Sequence, residues 1–393
     1  MLSQNVGESC MEKVKRNSNF ELLRIISMLF IVIYHVRMHS GFSINSTGSV
    51  RVLITFINAI MVIHVNSFIL ITGYFQCKSK MRLSKVMAIN NATWFYKVFF
   101  LIVFILLSSV FSITITNPIN TLDKIKMLLP FDYGIYWYIN CYLLLYLISP
   151  VLNKIINNVT KKEFQLLILG LFILISIIPT LTLDEVIYTR NGHSIETFIL
   201  LYFIGAYLRI YPISENYFFK VFSNTGRRTV FIFIFFFCAV LSLFCNIVSR
   251  NIGTFGTLAQ YLSQILNTFY TNFGSPIIII QAVAYFLFFS TLSFDSKIIN
   301  FISKYTLGIY LIHENIYVRE NLYRWIGFKG IKDISLKVVI MMFIVGVIIF
   351  IIGFILEFIR QALFKFIYNR KLSAKIRKSY RSYFKKLGLN INW

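Results

Sequence analysis

Arg24 and His35 stand eleven residues apart in a stretch, RIISMLFIVIYH, that is otherwise almost wholly apolar. Eleven residues make close to three helical turns, so a helix places both side chains on one face, about 16 Å apart along its axis. The guanidinium is a permanent charge with a planar fork of donors that suits phosphate. The imidazole exchanges a proton near neutral pH and can act as general base, general acid or nucleophile. Glu21 lies one turn before Arg24 and can pair with it. Ionisable groups inside an apolar helix are costly, which makes each a functional candidate. Simpler explanations stand beside that one: Arg24 can snorkel to a surface, and His35 can bond a backbone carbonyl inside the protein.

A second group lies in YTLGIYLIHENIY, where His313 is followed by Glu314, Asn315 and Tyr317. On separate helices, His35 and His313 would reach similar depth and can meet in one cavity. His64, Asn58, Asn66 and Ser67 share another apolar run, and YWYINCY carries Trp137 and Asn140, part of which belongs to an interfacial aromatic belt. His39 falls at the end of a run and His193 between runs, positions that solvated surface explains. The cysteines at 10, 77, 141, 238 and 245 form no CxxC pair and no metal spacing, so no metal is expected.

Elements that hold such groups must cross a membrane. Hydrophobic residues make up 57% of the 393, charged ones only 14%, and the mean hydropathy is +0.72. That exceeds what one soluble core requires, and apolar runs of about 20 residues recur, the length of a transmembrane helix. The formal charge of +24 would suit a nucleic-acid binder, but its placement excludes that reading. Positive residues sit between and beyond the apolar runs, at Lys13, Lys15 and Arg16 and again from Arg360 to Lys386.

Ten helices fit, at approximately 20–40, 52–76, 88–115, 136–156, 163–181, 196–210, 229–249, 272–293, 301–319 and 335–360. Basic turns follow the second (Lys78, Lys80, Arg82, Lys85), the fourth (Lys154, Lys161, Lys162) and the sixth (Lys220, Arg227, Arg228). The alternate turns hold Asp123 and Asp132 against Lys124 and Lys126, and Asp184, Glu185 and Glu196 against Arg190. Arg324, Lys329, Lys332 and Lys337 run against this pattern, yet the balance puts both termini in the cytoplasm. The expected fold is an all-α, polytopic membrane protein. Residues 1–360 form the bundle, and 361–393 a basic cytoplasmic tail able to rest on anionic lipid. The first run lacks a cleavage signal and reads as a retained span. No internal repeat, glycine-rich phosphate loop, EF-hand or zinc motif is present.

NFELLRIISMLFIVIYH resembles the first helix of the acyltransferase family 3 membrane proteins, whose signature is Arg or Lys, ten residues, then His. NSFILITGYF, YWYINCYLLLYLISPVLN and LGIYLIH agree with that family in order, so the resemblance spans nearly the whole chain. It implies a cytoplasmic acyl-CoA donor, here acetyl-CoA, and an acceptor hydroxyl on a cell-surface glycan or its lipid-linked precursor, in the bacterial cytoplasmic membrane. It assigns donor binding to Arg24, and to Arg82 and Lys85, the nearest match to a second R-x-x-R element. Lys85 keeps the charge there but lacks the bidentate fork. His35 and His313 are the catalytic candidates, with Trp137, Asn140 and Glu314 on the acceptor. Relatives with an extra hydrolase-like domain pass the acyl group to it; this chain shows none, so the bundle is expected to complete the transfer. Whether His35 works as base or is itself acylated stays open at this level.

Transport is the competing class: a lipid-linked glycan flippase or solute carrier with histidines as a proton relay. It requires inverted repeats and paired broken helices, which the sequence does not display. A non-catalytic partner in glycan assembly would be indifferent to the loss of His35.

Overall fold

The apolar runs fold as helices, and the charged and Asn/Gly-rich stretches separate them. The computed structural model describes residues 16–42, 46–115, 121–129, 136–183, 190–253, 255–331 and 334–367, and no strand occurs among them. Eight helical stretches of this region are long and apolar enough to cross a membrane. The protein is an all-α, polytopic membrane protein. Asp132, Asp184, Glu185 and residues 368–393 of the expected tail lie outside the described residues.

The site is built from a subset of these helices. α1 spans Ser18–Ser40 and ends at Gly41, whose φ of 75° lets its N–H turn back to the Arg37 and Met38 carbonyls. α2 (Gly48–Met61) and α3 (His64–Gln76) form one apolar stretch broken at residues 62–63. α4 (Leu83–Ser109), α5 (Thr121–Leu128), α6 (Trp137–Asn158) and α7 (Lys161–Phe172) follow, with a π turn at Ile173–Ile177 and the short α8 (Ile178–Thr182). Then come α9 (Ile195–Ile210), α10 (Asn224–Ile252), α11 (Thr257–Thr271) and α12 (Pro276–Ser290). The chain closes with α13 (Lys297–Ile302), α14 (Thr306–His313), α15 (Ile316–Trp325) and α16 (Leu336–Ile367).

Three expectations change. The single helix expected at 272–293 is α12, and the amphipathic α11 before it was not foreseen. Between them, Asn272 Oδ1 accepts the Gly274 N–H at 2.7 Å, and Asn66 Nδ2 donates to the Phe273 carbonyl at 2.8 Å, so the break satisfies its own backbone. The helix expected at 301–319 is three pieces, because a 3₁₀ turn at Ser303–Tyr305 precedes α14, and Asn315 Oδ1 caps α15 by accepting the Tyr317 N–H at 3.1 Å. Interrupted helices are therefore present where the sequence displayed none. α16 also continues through residue 360, with Arg360 bonding Glu357 through both Nε (2.7 Å) and Nη2 (2.6 Å).

Close packing fixes the scaffold. A Cβ on Gly73 would stand 2.2 Å from the Tyr202 carbonyl oxygen, and one on Gly205 would stand 2.3 Å from that of Leu70. α3 and α9 thus cross nearly backbone to backbone, the packing that small residues permit in lipid. Only 16 residues long, α9 is enclosed by its neighbours, with Leu200, Leu201 and Tyr202 fully buried. A Cβ on Gly308 in LGIYLIH would meet the Glu357 side chain at 2.3 Å, which lets α14 lie against α16.

Contacts between separate elements identify the two ends of the bundle. At the end carrying Ser18, the basal end, Ser18 Oγ donates to Asn300 Oδ1 at 3.0 Å, and Arg228 Nη2 donates to the Thr291 carbonyl at 2.8 Å. Phe20 packs on Tyr74 with ring centroids 4.9 Å apart, and Arg209 lies over the same tyrosine ring at 5.0 Å. The turns after α3 and α9, basic in the sequence, therefore meet at this end. Ser40 and α15 mark the distal end.

Candidate active site

A cavity of about 630 Å³ runs along α1. Arg24, Met28, Ile31 and His35 line it from one helix face, as their spacing of four, three and four requires. Basally its walls carry Arg16, Lys85 and Lys304 beside Arg24; distally they carry Trp137, His193, Glu314 and Arg319 around His35. Between the two lies an apolar middle that includes Ile89, Ile139 and Leu307.

The basal cations are loosely held. Arg24 Nη1 meets Glu21 Oε1 at 2.8 Å, and Arg16 Nη1 meets Glu21 Oε2 at 3.4 Å. Arg16 also donates to Ser303 Oγ at 3.4 Å, while Lys85 lies 4.5 Å over the Tyr146 ring. One carboxylate thus serves two arginines, which remain 43% and 29% exposed.

The distal cluster is fixed by hydrogen bonds. α14 ends at His313, and His313 Nδ1 lies 2.7 Å from the Ile309 carbonyl, which can only accept. His313 therefore carries its proton on Nδ1, and in the neutral ring Nε2 is an acceptor. That atom lies 3.0 Å from His35 Nδ1, and Glu314 Oε1 lies 3.1 Å from the same nitrogen. Both neighbours accept, so His35 carries its proton on Nδ1. Its Nε2 keeps a lone pair for the cavity that the ring lines. Glu314 Oε1 also receives His39 Nε2 at 2.9 Å, and Arg319 approaches Oε2 at 3.6 Å. The break that presents Glu314 is propped by Tyr136, whose hydroxyl donates to the Leu311 carbonyl at 2.8 Å and accepts from Asn315 Nδ2 at 3.1 Å. Together these groups form an oriented base: a carboxylate facing the imidazole Nδ1–H stabilises the imidazolium formed when Nε2 takes a proton.

His35, His313 and Glu314 also form a group of the size that binds a metal ion. Their spacings of 3.0 and 3.1 Å are those of hydrogen bonds.

The residues singled out in the sequence divide. Arg24, Lys85, Trp137, His35 and Glu314 all line the one cavity, and His313 supports His35 from behind. Glu314, expected on the acceptor, lines the cavity and also approaches His35 and His39, at 3.1 and 2.9 Å. Arg82 lies outside the lining: it is the residue before α4, and its backbone N–H donates to the Tyr146 hydroxyl at 3.0 Å. Asn140 is outside it too, one residue beyond the lining Ile139. His39 and His193 are not solvated surface. His39 stacks on buried Tyr323 at 5.6 Å, and His193 packs edge-on to Trp137 at 4.4 Å. The signal for His39 was present, four residues after His35 and so one turn along the same face. Arg16, expected only as a topological charge, and Lys304, which the sequence does not single out, also line the cavity.

The fold and this site define a class: a polytopic membrane protein whose helices hold a histidine cluster at one end of a cavity and cations at the other. The acyltransferase domain of acyltransferase family 3 matches residues 17–359, and the chain belongs to that family. It is a membrane acyltransferase. No curated protein and no solved structure matches the chain.

Proposed function

We propose that this acyltransferase uses acetyl-CoA as donor and acetylates a hydroxyl of a cell-surface glycan or its lipid-linked precursor, in the cytoplasmic membrane with both termini inside. The observation that supports the reading is one cavity lined by four basal cations and, at its distal end, by His35. Basal phosphates meet Arg24, Lys85, Arg16 and Lys304, and the pantetheine arm extends along the apolar middle. The ~16 Å between Arg24 and His35 along the helix is comparable with that arm's reach.

His35 Nε2 takes the proton of the acceptor hydroxyl as its oxygen attacks the thioester carbonyl carbon. The C–S bond breaks, and the imidazolium returns the proton to the thiolate, giving the ester and free CoA thiol. Glu314 and His313 hold the ring throughout, and Trp137 offers an apolar face to a sugar.

The test is purified protein in lipid, given acetyl-CoA labelled in the acetyl group, with and without membranes bearing the producing cell's glycan. Label on the glycan, dependent on His35, is the expected result. Wild-type protein that neither hydrolyses acetyl-CoA nor transfers its label overturns the reading. A reporter fused after Trp393 should be active only as a cytoplasmic fusion, and its export would overturn the placement of donor and acceptor.

A further inference from the structure

We infer that His39 is a positioning residue for the acyl transfer: it fixes the Glu314 carboxylate that in turn orients His35. The inference rests on the functional reading above. Glu314 follows the end of α14, where the backbone leaves the helix, and its side chain is held by what it meets rather than by helical packing. Oε1 is the shared atom, 3.1 Å from His35 Nδ1 and 2.9 Å from His39 Nε2. His39 is one turn beyond His35 on the rigid α1, so a carboxylate oxygen bonded to both is located against a single element. The His39 ring is itself held flat on Tyr323, with ring planes 22° apart, and Tyr323 is fully buried.

Without the His39 donor, Arg319 at 3.6 Å is the competing partner, on the other carboxylate oxygen. Rotation of Glu314 towards it would withdraw Oε1 from His35. His35 would then lean on His313 alone and lose the charge that stabilises its protonated form. The effect falls on turnover and not on donor capture, because the phosphate-binding end of the cavity lies about three helical turns away.

The experiment compares two substitutions in the full chain, with acetyl-CoA as the probe. His39→Phe keeps a flat ring on Tyr323 and has no donor; His39→Gln keeps an N–H donor. His39→Phe should lower kcat about tenfold to a hundredfold, the scale at which a misplaced catalytic group acts, with KM for acetyl-CoA little changed, and His39→Gln should recover most of the loss. In protein carrying ¹⁵N-histidine, where the chain has only five histidines, the His35 signal should move in the Phe variant and return in the Gln variant. Full kcat in His39→Phe, or equal loss in both variants, overturns the inference and leaves the acyltransferase reading standing. An unmoved His35 signal overturns it even if acetyl-CoA proves to be the wrong donor. Inactive wild-type protein with a His35 signal that moves removes the functional reading alone.

Discussion

The two ends of the cavity hold their charged groups in opposite ways. Basally, Arg16 and Arg24 share one carboxylate and stay partly exposed, and Lys85 rests on an aromatic ring. Distally, each nitrogen of His313 has a partner, Glu314 bonds two histidines, and Tyr136 braces the chain between them. Long flexible cations gather an anion over many geometries, whereas a proton transfer needs its base within a few tenths of an ångström. Under the proposed function one end captures the donor and the other carries the chemistry, and substitutions should separate along that line.

The largest effect should come from His35→Ala. It removes the base while leaving the apolar face of α1 and its topogenic charges intact. At matched membrane abundance it should lower glycan acetylation by about 10²–10⁴-fold and leave acetyl-CoA binding nearly normal. Full acetylation by this variant would dissolve the contrast between the ends.

Glu314→Gln comes next. It keeps the shape of the side chain and loses its charge, so kcat should fall by about tenfold to a hundredfold with little change in KM. A rise in KM for the acceptor at unchanged kcat would return Glu314 to substrate binding.

Much of this arrangement was legible in the sequence, and its limits have physical causes. The eleven-residue spacing on α1 determines a shared face whatever surrounds the helix, so Arg24 and His35 could be paired before any fold was known. LGIYLIH placed His313 at the right depth. Hydrogen bonding is decided by neighbours distant in the chain, and so the partnership of Glu314 with His39, 275 residues away, was out of reach. The break after His313 depends on the Asn315 cap and on Tyr136, and hydropathy ran straight across it. α11 was missed because its polar face interrupts the apolar run. Asn140 is not among the lining residues, because a motif can mark a segment without saying which of its side chains face a cavity.

At the basal end, Arg24→Ala should weaken acetyl-CoA binding by about 1.5–3 kcal/mol, the worth of a hydrogen bond to a charged group. The loss should appear in KM and not in kcat. Raising ionic strength should mimic it in the wild-type protein, because exposed charges are screened. A fall in kcat at unchanged KM would show that the two ends are not separate.

The smallest effects distinguish Lys85 from Arg82. Lys85→Ala should raise KM by less than Arg24→Ala does, whereas Arg82→Ala, whose structural bond is through its backbone N–H, should leave KM unchanged. Titration of acetyl-CoA binding by calorimetry would rank the three, and an Arg82→Ala loss equal to that of Arg24→Ala would move the mouth of the cavity.

α1 is pinned at both extremities, by Ser18 on Asn300 and by His35 on His313. It therefore behaves as a tie-rod with a yardstick engraved on it. The interval between its cation and its base is set by covalent geometry and the helical pitch, and no side-chain adjustment can stretch it. Sliding the rod shifts both marks together, and inserting one residue between them turns one mark about 100° away from the other. A molecule that must touch both is selected first by its length, before any of its functional groups is inspected.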